Sequence, residues 1–394
     1  MSQAVPSARL GGLYGLYFAL VALIVAWLGP YFQALGYTAS EIGILIGILT
    51  GSKIVAPYLW GMLGDRIPNR LRVVQAGMLG SALVSGWLLA TPGFWQLVVI
   101  LAVLGLFWNA IIAQFDTLTL EYLGGAHHRY SAIRMWGSVG FICAMLASGA
   151  WFRVFSLESL PWMLLVGLLL SSLLTLWLPP VVHAPASDVP LGRVMDRLKS
   201  PVVWLFLVVA ALNQFAHGPL NVFFTLYVQE HGYSALQAGQ LWALAVAVEV
   251  VLFWSLPRFL ARIDLRQLLI WALIAGAFRW VMTAFWVEQP WVLMGLQMLH
   301  AFTFAAIHSV SIEFVRRWFP RQLAGRGMAL YSGVVFGVGG STGALASGFL
   351  WEHAGSTVSF VAMGVLSGVL AVVVLYSLKS ARLGPAASLD ATYG

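Results

Sequence analysis

The sequence predicts an all-α membrane protein with twelve transmembrane helices arranged as two six-helix bundles. Three observations predict it: composition, recurring apolar runs and an internal repeat. Of 394 residues, 60% are hydrophobic and 9% are charged, whereas soluble domains carry about 25% charged residues. Apolar stretches long enough to cross a bilayer, about 20 residues each, recur along the whole chain. A shift of 196 positions carries Tyr31, Gln33, Gly36, Tyr37, Ala39, Gly43 and Leu45 onto Tyr227, Gln229, Gly232, Tyr233, Ala235, Gly239 and Leu241. Seven identities in fifteen positions exceed the one or two that chance would give, roughly, at this composition.

The spans follow in order. Helix 1 is expected near Leu10–Phe32, helix 2 near Glu41–Leu63 and helix 3 near Val73–Ala90. Helices 4 to 6 fall near Phe94–Tyr122, Ser131–Phe152 and Leu160–Leu178. Helices 7 to 9 fall near Val202–Gln229, Ala235–Leu260 and Leu265–Val287, and helices 10 to 12 near Pro290–Trp318, Leu323–Trp351 and Thr357–Leu378. One long polar break separates the halves, giving a first bundle over 1–178, a linker over 179–200 and a second bundle over 201–394. The first apolar run is longer than a signal-peptide core and lacks a clear cleavage site, so it is expected to be retained. Cys143 is the one cysteine, which excludes an intrachain disulfide.

Charge placement gives orientation. Of the 21 Lys and Arg residues, Lys53, Arg134 and Arg279 sit inside spans and Arg153 lies on one side. The other 17 fall in loops of the opposite side. Cytoplasmic loops carry the Lys/Arg excess, so both termini and the linker are expected in the cytoplasm of a bacterial inner membrane. The net charge of +7 is therefore a topology signal and not a nucleic-acid surface.

Charges inside hydrocarbon cost roughly 2.5–3.5 kcal/mol on insertion scales, so each needs a partner or an aqueous cavity. Asp116 lies in helix 4. Arg134, Ser138 and Phe141 fall at i, i+4 and i+7 on one face of helix 5. A carboxylate, a guanidinium, a hydroxyl and a ring make an inventory for gripping a small polar solute; the competing reading is an ion pair that only fixes packing. Lys53 stands mid-span in helix 2. In the second half Gln297, His300, Phe304 and His308 form a stripe on helix 10, and Asn213, His217 and Asn221 form another on helix 7. Glu249 is mid-helix, with Arg279 on the next helix. A conformational change that alters a carboxylate–guanidinium contact alters proton affinity, as proton coupling requires. Glu121 and Glu313 lie near helix ends and are expected to be interfacial. The glycines of helices 3 and 11 read as close-packing positions.

Between helices 2 and 3 stands Gly61-Met62-Leu63-Gly64-Asp65-Arg66-Ile67-Pro68-Asn69-Arg70. It resembles the loop signature of the major facilitator superfamily, with Pro68-Asn69 replacing the usual glycine. The resemblance implies that Gly61, Gly64, Asp65, Arg66 and Arg70 form a gating loop. A closer resemblance covers most of the chain. Asp116 and Arg134-Met135-Trp136-Gly137-Ser138, followed by Phe141, are similar to the lactose permease pattern of helices 4 and 5. Arg279 and His300 continue it. The phenylpropionate permease branch is nearer, sharing Trp-Gly-Ser after the helix 5 arginine, a basic residue at Lys53, histidines at His217, His300 and His308, and the stretch ending at Glu249. Thr303 departs from lactose permease, which carries a carboxylate there, so the proton site does not transfer.

These readings converge on a proton-coupled importer working by alternating access, acting as a monomer, with the proton gradient as driving force and no cofactor or metal. Lys53, Asp116, Arg134, Ser138, Phe141, Asn213, His217 and Gln297 are the expected substrate contacts, and Glu249, Arg279 and His300 the proton-coupling set. Three in-span cations against two carboxylates favour an anionic, aromatic carboxylate; the alternative is a sugar or nucleoside. A drug exporter fits less well, because the Gly-Pro element of helix 5 is missing. A membrane enzyme lacks a nucleophile or metal constellation, since His127-His128 has no acidic third ligand. A non-transporting receptor is separated by an uptake assay.

Overall fold

The computed structural model describes residues 5–124, 126–180, 196–260, 263–319 and 323–378. Twelve helices among them are long and apolar enough to cross a membrane. They are α1 (Ser7–Ala34), α2 (Ala39–Arg66), α3 (Arg70–Ala90), α4 (Phe94–Leu123), α5 (Tyr130–Phe152) and α6 (Leu157–Leu176), then α7 (Pro201–Glu230), α8 (Ala235–Ser255), α9 (Leu265–Trp286), α10 (Pro290–Trp318), α11 (Gly325–Ala354) and α12 (Ser356–Ser377). Most of the expected linker, and Arg321 of the basic loops, lie outside the described residues.

The repeat is visible at atomic scale. Gly36 ends α1 with φ +89° and Gly232 ends α7 with φ +86°, a left-handed conformation that glycine adopts without Cβ strain. The Gly36 amide donates to Gln33 O at 2.9 Å and the Gly232 amide to Gln229 O at 3.0 Å. The next helix then starts on a side-chain cap in each half. Thr38 and Glu41 form a reciprocal box; Ser234 and Gln237 do the same. Helix pairing repeats too. In the first half α1 packs on α5, α3 on α6 and α3 on α4; in the second, α7 packs on α11, α9 on α12 and α9 on α10.

The described residues form two compact units, Met1–Ser187 with Leu220–Ala243, and Asp188–Pro219 with Leu244–Gly394. The sequence boundary at 201 assigns Leu220–Ala243 to the second bundle, whereas compactness groups it with the first. The cause is small residues. A Cβ on Gly29 of α1 would strike the Val222 carbonyl, and one on Gly149 of α5 would lie 2.9 Å from Ala235 O. Lipid supplies no hydrophobic drive between helices, so such close backbone approach is what holds them together.

Several spans depart from regular α-helix, α11 among them with a π-helical stretch over Gly333–Gly339, and three departures bear on the in-span polar residues. α2 tightens to a 3-10 turn at Ser52–Ile54. α7 breaks at His217, between Pro201–Ala216 and Gly218–Glu230. α10 widens to a π-helical turn over Phe302–Ala306. Each lies beside an ionisable side chain. Such irregular turns concentrate at functional sites.

Candidate functional site

In the first unit, α1 brings a row of aromatics against the charges of α4 and α5. The Tyr14 hydroxyl donates to Asp116 Oδ1 at 2.6 Å. Arg134 Nε stands 3.9 Å from the same oxygen, too far for a hydrogen bond. Its guanidinium lies 4.0 Å over the Phe18 ring and 5.3 Å from that of Tyr14. Gly137, one turn on, leaves room for Phe18 and the Arg134 head. Arg134 is thus held by ring faces and a loose ion pair, and among the described residues its fork is engaged in no hydrogen bond. Both side chains are about a third exposed (30% and 32%). Phe141 is buried, and Ser138 is half-buried.

Lys53 occupies the 3-10 turn of α2 and has no hydrogen-bond or ion-pair partner among the described residues. The turn is braced from α4. Asn109 Nδ2 donates to Leu49 O at 2.8 Å and to Ser52 Oγ at 2.7 Å, taking up a carbonyl and a hydroxyl beside the turn.

At the expected gating loop, Arg70 is the centre. Nε donates to Glu121 Oε1 at 2.9 Å, Nη1 to Gln114 Oε1 at 2.6 Å and Nη2 to Asp65 Oδ1 at 3.1 Å. Gly64 makes this possible, since a Cβ there would lie 2.6 Å from the Gln114 carbonyl oxygen. Gly61 faces the same glutamine at a looser 3.9 Å. Arg66 is exposed. Glu121, read as interfacial, is a half-buried partner of Arg70. Glu313 sits at the end of α10, clamped by Arg316 and Arg317 at 2.6 and 2.7 Å.

The second unit buries a guanidinium. Arg279 is 1% exposed and donates from Nε to Leu296 O at 2.9 Å, from Nη2 to Gln297 Oε1 at 3.2 Å and from Nη1 to His300 Nδ1 at 3.2 Å and Thr303 Oγ1 at 3.3 Å. Trp280 lies under it, 4.4 Å away. No carboxylate is among these partners. The sequence sets Arg279 against Glu249, but the structure interposes His300, whose Nε2 is 3.9 Å from Glu249 Oε2. A direct Arg279–Glu249 contact is thereby replaced by a three-member row. Along α10 the rings of His300, Phe304 and His308 stack at 5.5 and 6.0 Å, with interplanar angles of 15° and 6°. The π turn at Phe302–Ala306 brings these residues, four apart, into register. His217 Nδ1 donates to Asn213 O at 2.8 Å, and its ring meets Trp280 edge-on. Asn213 lines a cavity of about 10 Å³ with Gln214, His308 and Tyr331, room for roughly one water. Asn221, on the expected α7 stripe, falls past the break and groups with the first unit.

Sequence reading missed Tyr14, Phe18, Asn109, Gln114 and the break at His217. Signals existed for some of them: Gly218-Pro219 marks the break, and Tyr14, Tyr17 and Phe18 share one face of α1.

Comparison with known proteins gives the family. The MFS_1 like family matches residues 7–362. A probable 3-phenylpropionic acid transporter of Escherichia coli K12 is 25% identical over 358 residues, covering 88% of this chain and 92% of the relative. The maltose permease of Geobacillus stearothermophilus is 26% identical over 345 residues, covering 86% of each. Among solved structures, the nucleoside transporter NupG superposes with a TM-score of 0.81 at 18% identity, covering 94% of this chain and 98% of NupG. A D-xylose-proton symporter gives 0.75 at 14% identity, covering 96% and 99%. Those two likenesses speak to the fold alone. With its twelve spans and paired halves, the chain belongs to the MFS_1 like family and is a membrane transporter of the major facilitator superfamily, not an enzyme.

Proposed function

We propose that the chain imports a small organic anion, an aromatic carboxylate, together with protons, by alternating access. The observation that carries this is Arg279: a guanidinium 1% exposed whose described partners are all neutral. A buried charge without a counter-charge is strongly destabilising, and a substrate carboxylate supplies the missing one. Of five guanidinium N–H groups, the four hydrogen bonds above leave one to receive it. Lys53 and the unengaged fork of Arg134 add to the same preference for an anion. The relative described as a probable 3-phenylpropionic acid transporter agrees with an aromatic acid as substrate. Proton coupling falls to Glu249 through His300, with Asp116 the rival site.

A neutral sugar or nucleoside is the second reading. It is favoured by Asp116 and Arg134 beside the Tyr14 and Phe18 rings, since paired charges next to a ring face suit a hydroxylated ring.

Purified protein in liposomes tests both. With an imposed inward proton gradient, labelled 3-phenylpropionate is expected to accumulate above the external concentration, and a protonophore to abolish this. Accumulation of maltose or uridine in its place moves the assignment to the neutral reading, and gradient-insensitive equilibration rejects coupling. Orientation is tested on a Cys143→Ser background. Lys199→Cys should react only from the cytoplasmic side and Glu288→Cys only from outside; the reverse pattern rejects cytoplasmic termini.

A further inference from the structure

Two atoms in the second unit lack what their neighbours have. His217 Nε2 and Gln297 Nε2 are buried and have no hydrogen-bond partner among the described residues, and each residue is 1% exposed. Buried polar atoms are paired in the large majority of cases, so an exception calls for an explanation. Here the two lie in one cluster. Gln297 is bonded to Arg279, Arg279 to His300, and the His300 ring is 6.1 Å from that of His217.

Their neighbours fix their polarity. A backbone carbonyl only accepts, so the Nδ1 of His217 facing Asn213 O carries the proton, and Nε2 is a bare acceptor. A guanidinium only donates, so the Gln297 atom facing Arg279 is the oxygen, and Nε2 is a donor that cannot be flipped away without setting N–H against N–H. One unused acceptor and one unused donor therefore stand in the same buried cluster, beside a guanidinium and the buried rings of Trp280 and His300.

We infer that His217 and Gln297 form a hydroxyl-recognising subsite, in which a ligand hydroxyl donates to His217 Nε2 and accepts from Gln297 Nε2. A hydroxyl is the smallest substrate group that does both. A carboxylate or an ether cannot donate to Nε2, and a C–H leaves both atoms unpaired. This inference rests on the transport reading and sharpens it: the substrate is an acid whose aromatic body carries a hydroxyl, placed so that Arg279 remains beside it. Sites built to bond a hydroxyl discriminate strongly against analogues that lack one.

The test is competitive binding to the purified full-length protein, using 3-phenylpropionate and its ring-hydroxylated isomers. At least one isomer is expected to bind tighter than the parent by roughly tenfold or more. His217→Asn keeps a donor for the Asn213 carbonyl and removes Nε2; Gln297→Met removes the donor without adding a counter-charge and leaves Arg279 its bonds to Leu296, His300 and Thr303. In both, the ratio of hydroxylated to parent affinity should collapse to about one, a readout that a general loss of packing would not produce. Equal affinity for all isomers in the unmodified protein overturns the subsite and leaves a trapped water as the partner of these atoms. A ratio that survives in His217→Asn overturns it as well. If no aryl acid binds, the aromatic-anion reading fails. The same ratio is then measured on a glucoside and its monodeoxy analogues, where an unchanged affinity for every deoxy form, or no binding, overturns the subsite too.

Discussion

Arg279 Nη1 donates to His300 Nδ1 at 3.2 Å, and this contact fixes the imidazole. A guanidinium has no lone pair to offer, so Nδ1 is the acceptor and the ring proton sits on Nε2, the nitrogen 3.9 Å from Glu249 Oε2. While the contact holds, a second proton on Nδ1 has no acceptor to meet. That leaves Glu249 as the group of this row proposed to bind and release the proton, with the imidazole between it and Arg279.

This gives the first prediction. Glu249→Gln mimics the protonated carboxyl, so substrate should bind and exchange across the membrane at near-normal rates. Uphill accumulation under a proton gradient should vanish. The two are measured by counterflow and by gradient-driven uptake in the same liposomes. Persistent uphill uptake assigns coupling elsewhere, and the same pair of assays then decides between Asp116→Asn and His300→Gln.

A second prediction concerns the first unit. Since the Arg134 fork is engaged in no hydrogen bond among the described residues, folding should not depend on it. Arg134→Lys is expected to keep its thermal midpoint yet lose substrate binding. A charge-assisted hydrogen bond contributes about 1.5–3 kcal/mol, which is a loss of roughly tenfold to a hundredfold. Tyr14→Phe removes the 2.6 Å bond to Asp116 and should release the carboxylate towards Arg134, weakening binding by a smaller factor. Unaltered affinity in both Arg134→Lys and Asp116→Asn would return this pair to a packing role.

Much of this architecture was legible in the chain, and the rest has identifiable reasons for being hidden. The shift of 196 that pairs Gly36 with Gly232 corresponds to two helix ends with φ of +89° and +86°, because a left-handed cap constrains residue type tightly. In-span charges were visible because lipid makes them rare. Periodicity, however, assigns faces to a regular helix and says nothing of where it breaks. The turns at Ser52–Ile54 and Phe302–Ala306 follow from tertiary bonds made by residues such as Asn109, which reads as an ordinary polar position on α4. Tyr14 was hidden for a related reason, since an aromatic on an apolar helix looks like core until its hydroxyl is seen on Asp116. The intercession of His300 between Glu249 and Arg279 depends on three helices meeting, which no single-helix pattern encodes.

Lys53 and its brace give a third prediction. Lys53→Met should lower affinity for the carboxylate substrate by tenfold or more while sparing its neutral amide analogue, because removing the cation removes only charge recognition. Asn109→Leu leaves Lys53 in place but removes the two bonds from α4, leaving the Ser52 Oγ–Leu49 O bond within α2, so the turn that aims Lys53 is held less firmly. The acid-to-amide affinity ratio should fall in Asn109→Leu as well, by less than in Lys53→Met. A ratio unchanged in Lys53→Met would make this lysine a bystander.

The last prediction concerns Arg70, whose bonds to Asp65, Gln114 and Glu121 tie the end of α2 to α4. Glu121 is 17% exposed and Asp65 is 52% exposed, so the two ion pairs differ in weight. Removing the arginine strands Glu121 in a poorly hydrated place, whereas Asp65 can turn to water. Breaking a buried pair from one side costs about 3–5 kcal/mol; an exposed pair contributes roughly 0–1 kcal/mol. Arg70→Met is therefore expected to be strongly destabilising, and Asp65→Asn nearly neutral for stability. Glu121→Gln should recover a large part of the Arg70→Met loss in the double variant, since it discharges the stranded carboxyl and offers an amide N–H donor to Gln114 Oε1 in place of the lost guanidinium. Reversible unfolding in detergent measures all four proteins. Strict additivity of Arg70→Met and Glu121→Gln would show that the two side chains do not sense each other, and the tie between α2 and α4 would then rest on the Gln114 bond.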